Sequence, residues 1–239
     1  MAVLWEKIAD GSKYEIRSAG KYTRVYIDNV LHSQINVEEP FAGDIWDLLV
    51  LPVFYLEEKP RSLVIGIGGG TAINFLNTFI DSESVKGVDY SKTTLQITRK
   101  LIPSLKKNVK LYCEDGKKWL EEYEGEPFHF ILEDAFKGED GYPERALKAN
   151  KKWLQTLERN LTEDGILVMN FSDTDDVKTA TMDFIKKKFP SVFLLKSKRA
   201  SNSILVMSKK SIRRKSLKRV LIKKGIPFKK LQYNKYNIQ

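Results

Sequence analysis

Between Lys13 and Gln34 apolar and polar residues alternate. The stretches "KYEIRS" and "YTRVYIDNVLHSQ", with "AGK" between them, predict a small antiparallel hairpin. In "AGDIWDLLVLPVFYLEE" the apolar spacing becomes helical, with Pro52 inside it as a kink. "EKPR" ends that pattern. From Ser62 onward short continuous apolar runs take over: "SLVIGI", "VKGVDY", "VKLYCED", "FHFILEDAF" and "GILVMNF". Such runs suit parallel strands buried on both faces. Helical patterns separate them, over about 71–80, 91–101, 116–124 and 144–160. A further helix over about 174–188 leads to "SVFLLKS" and "NSILVMS", which only "KRAS" separates. A gap that short cannot hold a crossover helix, so the last two strands pair antiparallel. The pattern predicts an open, doubly wound α/β sheet closed by an antiparallel hairpin. Three regions follow: a β-hairpin region over 1–42, the α/β domain over 43–208, and an extension over 209–239. In the extension Ser211 caps a helix ending at Gly225, with Ile212, Leu217, Val220 and Leu221 as its apolar stripe.

Composition narrows the chemistry. One cysteine, Cys113, excludes a disulfide framework, and with only two histidines no metal site is expected. Cys113 itself reads as a buried strand residue. The N-terminus has no secretory pattern, and the longest apolar stretch, "IWDLLVLPVFYL", is too short to span a bilayer. A soluble cytoplasmic protein is the expectation. Charge is distributed unevenly. Asp183 is the last acidic residue, and 18 of the 41 Lys and Arg follow it, leaving 23 against all 31 acids in the first 183 positions. An acidic body with a basic tail points either to a polyanion such as nucleic acid, engaged through 209–230, or to a tail docked on the chain's own surface.

The candidate chemistry begins at "LVIGIGGGTAINFL". Gly66, Gly68 and Gly70 spell G-x-G-x-G between a strand and a helix, where free backbone N–H groups face whatever lies there. A dinucleotide, S-adenosylmethionine and its decarboxylated form all suit such a turn, as does a tight turn with no ligand. The dinucleotide fingerprint wants a small residue where this chain has the β-branched Thr71, which counts against NAD. Asp89 ends the second strand, where a carboxylate accepts from ribose hydroxyls or is merely solvated. Asp115 and Gly116 end the third. An acid there accepts from an adenine amino group while the glycine lets the backbone pass close to the ring; Asp115 also suits a helix N-cap.

"SLVIGIGGGT", "GVDYS", "CEDGKKWLEE", "FHFILEDAF" and "LTEDGILVMNF", in this order and spacing, resemble the spermidine synthase family, and more closely its methyltransferase-like relatives with a Rossmann-like methyltransferase sheet. The resemblance covers roughly Tyr22 to Ser208. It implies that Asp89 holds the ribose, Asp115 the adenine amino group, and the Gly66–Gly70 turn the amino-acid end of the donor. It also implies that Gln34 lies beside the donor and that Asp134 is the acid at the end of the fourth strand. A homodimer is a further implication.

Two departures bear on the reaction. Spermidine synthases carry an acid where this chain has Gly69. An acid there attracts the ammonium of decarboxylated S-adenosylmethionine and repels the carboxylate of the intact molecule. Gly69 thus favours intact S-adenosyl-L-methionine and methyl transfer. The second acid of the family's fourth-strand motif is also missing, since Phe136 and Lys137 follow Ala135. The sequence reading is therefore a methyltransferase acting on a small-molecule or protein acceptor, with Asp134 orienting or deprotonating an amine and Phe136 and Tyr142 walling its pocket. An aminopropyltransferase using the decarboxylated donor is the alternative, and a non-catalytic binding protein the second. His32 reads as structural.

Overall fold

A computed structural model describes residues 1–36, 41, 44–56, 59–139, 142–178, 180–197, 200–212, 217–226 and 233–238. The N-terminal region is larger than the predicted hairpin. β1 (Ala2–Ala9), β2 (Ser12–Ala19), β3 (Tyr22–Ile27) and β4 (Val30–Ile35) form a four-stranded antiparallel sheet in sequential order. β1 escapes pattern reading because most of its side chains are exposed and carry no two-fold burial signal. The run "YTRVYIDNVLHSQ" divides into β3 and β4 at Asp28 and Asn29, both left-handed at φ 49° and 65°, a conformation these two residue types tolerate.

The helical pattern after it becomes α1 (Ile45–Val50) followed by a 3-10 turn, Leu51–Tyr55. Pro52 sits in the first turn of that second piece, where its missing N–H costs nothing. The α/β repeat then runs β5 (Arg61–Ile65), α2 (Thr71–Phe79), β6 (Ser84–Asp89), α3 (Lys92–Leu101), β7 (Val109–Cys113), α4 (Gly116–Glu121) and β8 (Phe128–Glu133). Where a helix is expected from 144, the chain forms a hairpin of β9 (Phe136–Glu139) and β10 (Tyr142–Arg145). α5 (Lys151–Arg159) starts only after Asn150, whose side chain accepts from the Trp153 N–H at 3.0 Å. β11 (Leu161–Phe171) follows. The long helix expected next is two short ones, α6 (Thr174–Val177) and α7 (Met182–Lys188), and β12 (Ser191–Ser197) and β13 (Ser203–Ser208) pair antiparallel as predicted.

The basic extension is not a loose tail in its described parts. α8 (Leu217–Lys223) buries Leu217 and Leu221 in the core, and β14 (Tyr233–Asn237) pairs with β12. The main sheet has the order β14-β12-β13-β11-β8-β5-β6-β7. Its strands bury side chains alternately. Val64, Leu132 and Val168 join the core under α1, α2 and α8, whereas Leu63, Ile131 and Leu167 join the one under α5 and α7. Strand order reverses between β5 and β8, which opens a crevice at their carboxyl ends.

Candidate active site

A cavity of about 280 Å³ occupies that crevice, with part of its wall from the N-terminal sheet. The glycine turn makes its floor. Gly66 is at φ 82°, and a Cβ there would run into the Asp134 carbonyl, so only glycine lets the β5 turn pass the end of β8. The Asp134 N–H donates to the Ile65 carbonyl at 2.8 Å, which locks the two strand ends together.

Gly69 has a different reason. A Cβ built on it would lie 2.5 Å from both Val25 Cγ2 and Ser33 Cβ. A side chain at 69 would thus enter the N-terminal sheet, not the cavity, which Gly66 and Gly68 line. Glycine at 69 is therefore what lets the turn pack against that sheet. Thr71, the departure from the dinucleotide fingerprint, belongs to the same contact. Its Oγ1 lies 2.5 Å from Ser33 Oγ, accepts from the Gln34 N–H at 3.2 Å and donates to the Gln34 carbonyl at 3.1 Å.

Gly66, Gly68, Asp89, Asp115, Gly116, Asp134 and Phe136 all reach the cavity. Asp89 is buried. Its carboxylate accepts from the N–H groups of Ile67 and Ser91, both at 2.9 Å, which ties the glycine turn to the end of β6. Burial pushes its pKa up, and these backbone bonds oppose the shift. Asp115 caps α4, accepting from the Lys118 N–H at 2.8 Å, and its side chain still borders the cavity. Gly116 lies against β5, where an added Cβ would meet Ile65 Cγ2 at 2.5 Å.

Gln34 lies elsewhere. Its amide donates to Asp44 and accepts from Arg24 Nε at 2.5 Å, beside a small niche with Asn74 and Phe75 and apart from the main cavity. Tyr142 opens β10, but its side chain lies outside the described residues, as do positions 213–216 and 227–230 of the basic tail. Gly70 sits behind the turn as the N-cap of α2. His32 lines the cavity; burial lowers its pKa to about 4 against the opposing pull of Asp28, so it is neutral at pH 7. Cys113 is exposed, contrary to expectation, because β7 is the edge strand.

Asp134, at the end of β8, accepts a hydrogen bond from Asn170 Nδ2 at 2.8 Å. Desolvation raises its pKa to about 7; a hydrogen bond from Asn170 opposes this, and the neighbouring Glu133 adds to it. Sequence reading missed Asn170, Asn202, Asp28 and the buried Glu133–Arg145 pair. Asn170 had a signal, a lone amide in the apolar run "GILVMNF". Arg145 had none, because its segment carries helical spacing. Among the described residues no group of three or more metal-ligating side chains occurs, and no helix is long and apolar enough to cross a membrane.

A model of the spermine/spermidine synthase domain matches residues 47–205. The chain belongs to this family. A polyamine aminopropyltransferase 2 from Caldanaerobacter subterraneus subsp. tengcongensis is 29% identical over 99 residues, covering 40% of this chain and 33% of that relative. The match thus spans about a third of the curated protein's length. A probable spermidine synthase from Corynebacterium glutamicum superposes with a TM-score of 0.75 at 16% identity, over 98% of this chain and 91% of that one. The spermidine synthase from Thermotoga maritima gives 0.67 at 16% identity, over 87% and 73%. At these identities the likeness establishes the fold, a Rossmann-like, methyltransferase-type α/β sheet with an antiparallel N-terminal sheet. The methyltransferase reading gains no support from these relatives.

Proposed function

We propose that the chain is an aminopropyltransferase that moves the aminopropyl group of decarboxylated S-adenosylmethionine to an amine. The observation that carries this is the charge of the cavity. Among its described lining residues stand four carboxyl groups, Asp28, Asp89, Asp115 and Asp134, against one lysine. That lysine, Lys137, is paired with Glu144 at 3.2 Å. The donor is cationic at both its sulfonium and its primary ammonium, and the acceptor is an amine. Intact S-adenosylmethionine would add a carboxylate to an already acidic site. Two like charges 4 Å apart repel by about 4 kcal/mol at an effective dielectric of 20. Kinship with a named aminopropyltransferase supports the same choice.

In this reading Gly66 and Gly68 lie along the aminopropyl chain, Asp89 accepts from the ribose hydroxyls, and Asp115 with Gly116 receives the adenine. Phe136 walls the acceptor. Asp134 binds the acceptor ammonium and takes its proton, which frees the nitrogen lone pair. That nitrogen attacks the propyl carbon next to the sulfonium. The C–N bond forms, the C–S bond breaks, and its electron pair stays on sulfur as a neutral thioether. A pKa near 7 suits Asp134 to this exchange at neutral pH. In an assay with the decarboxylated donor and a panel of mono- and diamines, the expected result is amine-dependent release of methylthioadenosine. Amine-dependent S-adenosylhomocysteine from the intact donor, with no release from the decarboxylated one, would overturn the proposal.

A further inference from the structure

We propose that Asn170, itself held by Asn202, is a positioning residue that ties back one oxygen of the Asp134 carboxylate and leaves the other for the amine. This rests on the reading of Asp134 as the group that handles the acceptor's proton. Asn170 Nδ2 donates to Asp134 Oδ1 at 2.8 Å, and Asn202 Nδ2 donates to Asn170 Oδ1 at 3.1 Å. All three residues border the cavity.

The chain of amides has one polarity. If Asn170 were turned over, its oxygen would face the Asp134 carboxylate and its NH2 would face the NH2 of Asn202. Both contacts would be repulsive. Asn202 therefore keeps Asn170 aimed as a donor. The main chain is fixed as well. β11 pairs with β8 up to Met169 opposite Glu133, so Asn170 and Asp134 are the next residues outward on neighbouring strands. Arg145 clamps both strand ends, donating to the Asn170 carbonyl and to the Glu133 carboxylate. Asn170 is only 3% exposed.

A hydrogen bond to a carboxylate favours its ionised form. The charged groups set against Asp134 are Glu133 beside it on β8, which acts the other way, and Arg145 from β10, which acts in the same sense as Asn170. Asp28, Asp89, Asp115 and Lys137 share the cavity with it. Loss of the Asn170 bond should move the Asp134 titration upward, and loss of Asn202 should do so in part by freeing Asn170 to rotate.

The test combines a titration with kinetics. The Asp134 carboxyl is followed by carbon NMR across pH in the wild type, Asn170→Ala, Asn202→Ala and Asn202→Ser. The expected result is an upward shift in all three variants, largest for Asn170→Ala, with Asn202→Ser behaving like Asn202→Ala because its hydroxyl is one bond too short to reach Asn170 Oδ1. In the aminopropyl assay kcat should fall about 10- to 100-fold in Asn170→Ala, the range for losing a hydrogen bond to a charged group. The acid limb of its pH profile should move the same way, with the donor KM unchanged. If Asn170→Ala fails to fold, the two Asn202 variants carry the test. An unmoved Asp134 titration in folded variants overturns the proposal. The NMR arm needs no turnover, so it stands or falls separately from the aminopropyl reading.

Discussion

Asp134 shows how position gives one side chain two opposed effects. Its neighbours on β8 and β11 are buried, so its ionised form is poorly solvated and its pKa rises to about 7. In the proposed transfer it acts as a base and works when ionised, so activity should rise with pH through about 7. As a folded-state group with a raised pKa, it contributes stability below its unfolded value near 4 and loses that contribution as pH climbs through about 7. Asp134→Asn removes the titration. The expected outcome is a loss of at least about 100-fold in turnover, together with a melting temperature that gains on the wild type as pH goes from 5 to 8. A variant that keeps its activity, or whose stability difference is flat with pH, would contradict this. Asp134 entered the sequence reading through the family resemblance of the motif "FHFILEDAF". Its partners were not legible: Asn170 and Asn202 meet it only once β11 and the β12–β13 turn are assembled.

The elements most legible in the sequence were β5 and β8, since strands covered on both faces read as nearly unbroken apolar runs. The elements it misjudged lack that signal. The β9–β10 hairpin contains "YPERAL", whose spacing is also helical, and β1 is too exposed to alternate. The role of the N-terminal sheet was also hidden. It closes over the glycine turn through Ser33, Val25 and Thr71, which makes Gly69 a steric choice. The shared hydroxyl of Thr71 is the checkable part. Thr71→Val keeps the shape and removes three polar contacts, so unfolding should cost about 1–3 kcal/mol less, and chemical denaturation measures it. A loss near zero would mean the sheet is held by its apolar contacts alone.

Across the fold, the charge asymmetry that suggested a separate basic tail conceals an integrated one. α8 puts Leu221 in the same core as Val64 and Leu132, and β14 extends the main sheet past β12. The apolar stripe was visible in the sequence; its docking site, against the 3-10 turn after α1, was not. Leu221→Ala should lower stability by about 2–5 kcal/mol and shift the single unfolding transition. If the extension were a loose tail, that transition would not move.

The claim on which the rest depends is that an acidic cavity binds a donor without a carboxylate. Titration calorimetry with the two donors under identical buffer and salt addresses it most directly. The charge of the cavity predicts at least about tenfold tighter binding of decarboxylated S-adenosylmethionine than of the intact molecule, with the gap narrowing as salt is added. Equal or tighter binding of the intact molecule would contradict it.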